Sequence, residues 1–298
     1  MQRVELANGD LSFSRCIQGY WRLTDWNMSA QDLVRFVEQG LELGITTTDH
    51  ADVYGAFTEE ALFGKALKLA PHLRDKLEIV SKGGIQFPCE QKPDVYLAHY
   101  NTSKDYLIQA AERSLQQLGI DTLDVWLIHR PDPLMDVDDV AEAFQRLKQA
   151  GKVRYFGVSN FSASQFSLLQ SRLAFPLITN QLEISAVNTD SVFDGNLDYL
   201  TQNNIKPMAW SCLGGGKVFD DPQYAALRHK ALEIGEQLNA KLDQILMAFV
   251  LRLPCEAMPI IGSGNIERVK QQAGAVDIHL DHQQWFSLLE AARGFPIP

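Results

Sequence analysis

Short apolar runs rich in β-branched residues alternate with amphipathic helical stretches along this chain, and that alternation constrains the fold more than any other feature. The strand-like runs fall at 16–18, 46–49, 77–81, 123–128, 155–158, 178–182, 206–210 and 257–261. Between them, Leu33, Val34, Val37 and Leu41 recur at helical spacing over 30–43, and Gly44 ends the run. Over 103–118 one face carries Leu107, Ala110, Ala111, Ser114, Leu115 and Leu118, with Gly119 after it. Over 137–150, Asp136, Asp138 and Asp139 crowd the start, where the helix dipole favours anions, and Gly151 closes the segment. Further helices are predicted at 57–69, 162–171, 192–203, 225–239, 242–252, 265–273 and 282–293. A strand that returns through a helix must pair in parallel with its successor, and eight such units predict a single (β/α)8 TIM barrel of the α/β class. One helix between 225 and 252 and the terminal one exceed the minimal count, so two additional helices are expected. Ahead of the repeat, 4–6 and 11–13 flank Asn8-Gly9-Asp10, a strong hairpin signal. The chain is therefore read as one domain over 1–298. A hairpin cap over 1–14 closes the bottom of the barrel, the barrel runs over 15–273, and a terminal helix with a short tail follows over 274–298.

Composition narrows the partners. With 298 residues, 46% hydrophobic and 21% charged, the chain reads as a globular domain with a large core. A formal net charge of −10 would repel the phosphates of nucleic acids and anionic membranes. No stretch reaches 18 apolar residues and no basic segment precedes an apolar one at the N-terminus, so a cytoplasmic protein with no membrane partner is expected. The four cysteines, Cys16, Cys89, Cys212 and Cys255, have no ligand-like spacing, so reduced thiols and no metal are expected.

Polar residues stand where barrel strands should end. They are Asp49 and Tyr54 in TTDHADVYG, Lys82 in IVSKGG, His129 in VWLIHRPDP, Ser159-Asn160 in FGVSN, and Gln181 in ITNQLEIS. Strand C-termini converge on the face of a barrel that carries its active site. Taken singly, Asp49 reads equally as a helix cap, Lys82 as a loop charge, His129 as a core histidine and Tyr54 as packing. In this order, with Glu60 and Gly64 in TEEALFGKAL between the first two, the set resembles the aldo-keto reductase family from about Gly19 to Gln272.

That resemblance implies an NAD(P)H-dependent enzyme that reduces aldehydes or ketones to alcohols by hydride transfer. It assigns Tyr54 as proton donor, Lys82 and Asp49 as the pair that tunes it, and His129 as the group that orients the carbonyl. A phenol, with an ordinary pKa of about 10, is a poor donor at neutral pH unless a cation lowers it, so Lys82 is expected to do so. The chain contains no GxGxxG, which argues against a Rossmann site. The resemblance instead places the cofactor, NADPH with NADH as the alternative, across the barrel mouth. Gly19, Tyr20 and Trp21 are implied beside the nicotinamide ribose, with Ser159, Asn160 and Gln181 on its carboxamide and Trp210 under its ring. Ser211, Leu213, Gly214 and Lys217 fall on the loop that covers the pyrophosphate. Ile261, Gly262, Ser263, Asn265, Arg268, Gln271 and Gln272 fall on the segment that holds the adenosine 2′-phosphate and adenine. Many relatives carry Lys or Arg near Gly262 or Gly264, and this chain does not. Trp21, Trp26, Phe87 and Tyr100 are expected to line the substrate pocket.

Two other classes compete. One is a cofactor-binding regulatory subunit of the channel β-subunit type, although no docking segment beyond the barrel is evident. The other is a metal-dependent hydrolase, which needs clustered histidines, whereas only His50 and His129 fall at strand ends. A small-molecule carbonyl partner and a monomer or weak homo-oligomer complete the expectation.

Overall fold

The computed structural model describes residues 1–7 and 9–298; Asn8, the first residue of the expected Asn-Gly turn, lies outside the described residues. Strands β1 (Arg3–Ala7) and β2 (Leu11–Ser14) pair antiparallel as the expected hairpin, with Val4 opposite Phe13. Their alternation puts Val4, Leu11 and Phe13 inward. These side chains pack against Ile17, Val80, Val125, Leu127, Ile178, Met208 and Met258, which fill the inside of the barrel. Each fully buried side chain of this kind contributes about 1.5–3 kcal/mol. Arg3 ties the cap to the barrel through Glu78 at 2.7 Å.

The eight barrel strands are β3 (Ile17–Gly19), β4 (Thr47–Asp49), β5 (Glu78–Gly83), β8 (Leu123–Ile128), β9 (Val153–Ser159), β10 (Leu177–Glu183), β11 (Met208–Trp210) and β12 (Met258–Ile261). All neighbours are parallel, and Ile260 of β12 pairs with Ile17 of β3 to close the ring. Each predicted strand is present, shifted by three residues or fewer at either end. Helices Ala30–Glu42, Glu59–Leu69, Lys104–Leu118, Val137–Gln149, Ala163–Gln170, Asn196–Gln202, Leu242–Leu251 and Ile266–Ala273 surround it. The additional helices, Ala225–Leu238 and His282–Arg293, pack on each other, and Trp285 stacks on Phe249 at 4.5 Å. Close helix approach explains one glycine of the TEEALFGKAL segment: a Cβ on Gly64 would lie 2.1 Å from the carbonyl oxygen of Gln117.

The long loop after β5 holds a feature the sequence did not announce. β6 (Ile85–Gln86) and β7 (His99–Tyr100) form a two-residue antiparallel ladder there. Two-residue strands carry no readable period, so no pattern betrayed them. The loop they clamp brings Phe87 onto Phe57 at 5.7 Å and Lys92 over the same ring at 5.0 Å, walling one side of the barrel mouth.

Candidate active site

The strand ends bring Asp49, Lys82, Gln181, Ser159, Asn160, His129 and Trp210 into one connected group. Lys82, completely buried, donates from Nζ to Asp49 Oδ1 at 2.7 Å, Asp49 Oδ2 at 2.8 Å and the His50 carbonyl at 2.8 Å. Asp49 is thus a buried ion-pair partner and caps no helix. Gln181 Nε2 donates to the same Asp49 Oδ1 at 2.7 Å. Ser159 Oγ donates to the Gln181 carbonyl at 3.0 Å, and Asn160 Nδ2 donates to Ser159 Oγ at 2.8 Å. Trp210 Nε1 then donates to Asn160 Oδ1 at 3.1 Å. Asn160 holds this position in left-handed backbone at φ 60°, which an Asn tolerates better than most residues.

Tyr54 faces this group from the loop after β4. Its ring meets His129 edge-on with centroids 5.8 Å apart, and Lys82 Nζ approaches its face at 5.0 Å. Three successive left-handed residues, Gly55, Ala56 and Phe57, turn the chain sharply behind it. Among the described residues, Tyr54 Oη and His129 Nε2 have no hydrogen-bond partner in the chain, whereas His129 Nδ1 is buried and unpaired. Two polar atoms without a partner among the described residues therefore stand on adjacent rings at the mouth.

Burial dominates the electrostatics of both rings. Burial pushes the Tyr54 phenol well above its ordinary value, and the Asp49 and Glu59 carboxylates add to the rise while Arg130 opposes it. The three Lys82 donors point to Asp49 and His50, and its ammonium lies over the face of the Tyr54 ring. Burial, with Lys82 and Arg130 nearby, holds His129 well below the usual histidine range. Both groups are neutral at pH 7.

Behind them lies His50, which the sequence placed at a strand end without giving it a role. His50 is 1% exposed, stacks on Tyr20 at 4.8 Å with the rings 5° from parallel, and leaves both ring nitrogens unpaired. Burial, aided by Lys82, lowers its pKa to about 3.

The implied cofactor positions divide. Asn160 and Trp210 are half-buried at the mouth, and Ser159 and Gln181 stand buried just behind them. Tyr20 does not face the mouth: its ring is buried between His50, Phe63 and Trp26, so only its backbone could reach a ligand. Gly19 answers to packing, since a Cβ there would lie 2.6 Å from Ile260 Cγ2. Trp21 is 62% exposed at the rim. Arg22, beside it, donates to the Gly215 carbonyl at 3.3 Å and so bridges the loop after β3 to the glycine-rich loop after β11. On that loop Ser211 and Gly214 have positive φ, Leu213 is half-buried, and Lys217 is exposed.

On the third segment Ile261 is buried, and Gln271 Nε2 is bonded to Asp243 at 2.7 Å. Gln272 is buried, Gly262 borders open space, and Arg268 is exposed. The Asn265 side chain caps its own helix, accepting from Glu267 N and Arg268 N, and Ser263 Oγ accepts from Asn265 N. Those amides are therefore already paired, and Arg268 is an exposed cation beside them. Trp26, expected in the pocket, instead packs against Tyr20, Phe36 and Gly264. A Cβ on Gly264 would lie 2.4 Å from the Trp26 ring, and this accounts for the absence of a side chain there.

The opposite end of the barrel carries a groove of about 1210 Å³ lined by Arg74, Asp124 and Arg154 among others. Asp124 pairs with Arg74 at 3.0 Å and with Arg154 at 2.8 Å, so these charges compensate one another. Among the described residues no His, Cys, Asp and Glu cluster could hold a metal ion, and no helix is long and apolar enough to cross a membrane.

A closed eight-stranded parallel barrel with a buried Lys–Asp pair, a tyrosine and a histidine at its C-terminal mouth matches the aldo/keto reductase family model over residues 15–293, and the chain belongs to that family. It is an NAD(P)H-dependent oxidoreductase. It is 53% identical over the whole of both chains to the oxidoreductase YdhF of Escherichia coli. To a 6-dehydroglucose reductase of Agrobacterium fabrum it is 40% identical over 99% of each chain. Among solved structures it superposes on an aldo/keto reductase from Klebsiella pneumoniae, in complex with NADP and acetate, with a TM-score of 0.79. That match has 25% identity over 99% of this chain and 96% of the other.

Proposed function

We propose that this protein reduces small-molecule aldehydes or ketones to alcohols with NADPH, using Tyr54 as proton donor. The observation that carries the reading is the convergence of Tyr54 Oη and His129 Nε2, both without protein partners, above the buried Lys82–Asp49 pair. The residues present suit a nicotinamide cofactor. Trp210 offers a flat face held by its bond to Asn160, three left-handed glycines, Gly214–Gly216, allow backbone to close over a ligand, and Arg268 is exposed with no side-chain partner among the described residues. Asn160, Ser159 and Gln181 would hold the carboxamide, and Arg268 the 2′-phosphate that distinguishes NADPH from NADH. The Klebsiella structure holds NADP on the same fold, which supports this choice. When bound, the reduced nicotinamide supplies the hydride.

The chain's own residues supply the rest. His129, kept neutral by burial, donates from Nε2 to the carbonyl oxygen and stabilises the negative charge that develops there. Tyr54, kept protonated by burial, gives its proton to that oxygen as the charge grows, and solvent reprotonates the phenolate afterwards. Lys82 and Asp49 fix the floor on which the Tyr54 ring lies. The relatives named 6-dehydroglucose reductases, at 40% and 34% identity, support a polar, hydroxylated aldehyde among the substrates.

The test is Tyr54→Phe, which keeps the ring and removes the proton. Carbonyl reduction with NADPH should fall at least about a hundredfold while NADPH still binds, by fluorescence titration. Turnover near wild type would remove Tyr54 from the mechanism.

A further inference from the structure

Arg130 follows His129 directly and ends half-buried on the loop after β8, at the barrel mouth. Its guanidinium lies 5.4 Å from the centre of the Trp210 ring. It forms no ion pair and no hydrogen bond with any described residue; of the other half-buried arginines, Arg74 and Arg228 are bonded to the chain, whereas Arg293 likewise only lies over a ring, that of Phe193, far from the reacting groups. It is also close enough for its charge to be felt at Tyr54, at His129 and at Glu183, the last residue of β10, with which it makes no ion pair.

A guanidinium presents five N–H donors in a planar fork, and those of Arg130, bonded to no described residue, are free to take a ligand at the mouth in place of water. The long-range field of a chain with net charge −10 works against anions, so a local cation beside the reacting groups is needed to hold one. We propose that Arg130 is a specificity-determining residue that binds a carboxylate on the substrate, selecting aldehydes and ketones that carry an acid group. The site of Arg130 sets the geometry of such a substrate. Its carbonyl lies under Tyr54 and His129 while its carboxylate lies on the fork, on the Trp210 side of the mouth.

The inference rests on the proposed carbonyl reduction, and its test separates the two. Wild type and Arg130→Met are compared on 4-carboxybenzaldehyde and on its uncharged methyl ester, at saturating NADPH. Wild type should favour the acid, and the variant should lose at least about tenfold in kcat/KM on the acid and less than about threefold on the ester. Calorimetric titration of 4-(hydroxymethyl)benzoate and of benzyl alcohol into the protein with NADP+ needs no turnover. There the acid should bind wild type at least about tenfold more tightly than the variant, with benzyl alcohol unaffected. Equal losses on acid and ester would overturn the proposal, as would a loss located in the dissociation constant of NADPH, which would make Arg130 a cofactor contact. Acid-selective binding in a protein that reduces neither aldehyde would uphold Arg130 and refute the reductase reading.

Discussion

His50 makes the stability of this barrel depend on pH in a way that can be worked out and isolated. Its ring is buried, unpaired and stacked on Tyr20, and its pKa falls from the ordinary 6.5 to about 3. The unfolded chain takes up a proton at this residue below pH 6.5 and the folded chain does not, so the unfolded state gains as pH falls. The sign is that of a depressed folded value: the stability is complete above pH 6.5 and is lost progressively toward pH 3. At pH 5 the unfolded state is favoured by RT ln(1 + 10^1.5), about 2 kcal/mol, while at pH 7.5 the effect is close to zero. Other groups act in the opposite sense. Burial raises Asp52 and Glu60 to about 7, so each favours the folded state increasingly as pH falls from 7. A wild-type profile alone therefore mixes the two effects. His50→Leu separates them, because Leu has a similar volume, no hydrogen bond is lost, and the His50 carbonyl that holds Lys82 remains. Urea unfolding of both proteins at pH 7.5 and pH 5.0 gives two differences. The wild-type loss on acidification should exceed that of the variant by about 2 kcal/mol. Identical losses would show that His50 is protonated or hydrated in the folded state, and the argument from its burial would fail.

Two further outcomes follow from the site. Lys82→Met leaves Asp49 buried with Gln181 as its remaining side-chain donor, and should destabilise the protein by about 3–5 kcal/mol in urea unfolding, with Asp49→Asn in the same chain restoring part of it; a loss below about 1 kcal/mol would mean that water replaces the ammonium. Arg268→Ala should weaken NADPH binding more than NADH binding, by about 1–3 kcal/mol in fluorescence titration; equal losses would show that Arg268 does not read the 2′-phosphate.

The barrel was legible because its signal is repeated. Errors of one or two residues in a strand end do not disturb an eightfold alternation of patterns, and glycines such as Gly44, Gly119 and Gly151 mark the helix ends independently. Asp49, Tyr54, Lys82 and His129 were legible because each is a polar residue at a strand end or just beyond it, where packing alone would favour an apolar one. What lies between those residues was not. Nothing in a linear sequence says that Gln181 Nε2 meets Asp49 or that Trp210 leans on Asn160, since these bonds join strands far apart in the chain. The burial of His50 was hidden for a related reason: its neighbours Tyr20 and Phe63 come from other elements. Trp26 was misplaced because an aromatic on a mouth loop reads alike whether it turns to solvent or to core. Arg130 carries the same kind of signal, a charge just past the end of a strand.

With the 2′-phosphate held beside Arg268 as proposed, the contact between Trp26 and Gly264 would couple coenzyme choice to the packing of the first loop. In a chain whose residue 264 is glycine, a basic side chain that could grip a second phosphate oxygen looks like one substitution. Here the indole occupies the space its first carbon would need, so that substitution alone displaces Trp26 from Tyr20 and Phe36 and loosens the wall of the barrel. Gly262, which borders open space, carries no such penalty. Two glycines, two residues apart, thus differ in what they permit. An engineered or evolving variant of this reductase would reach a stronger preference for NADPH through position 262, and through 264 only in company with a smaller residue at 26.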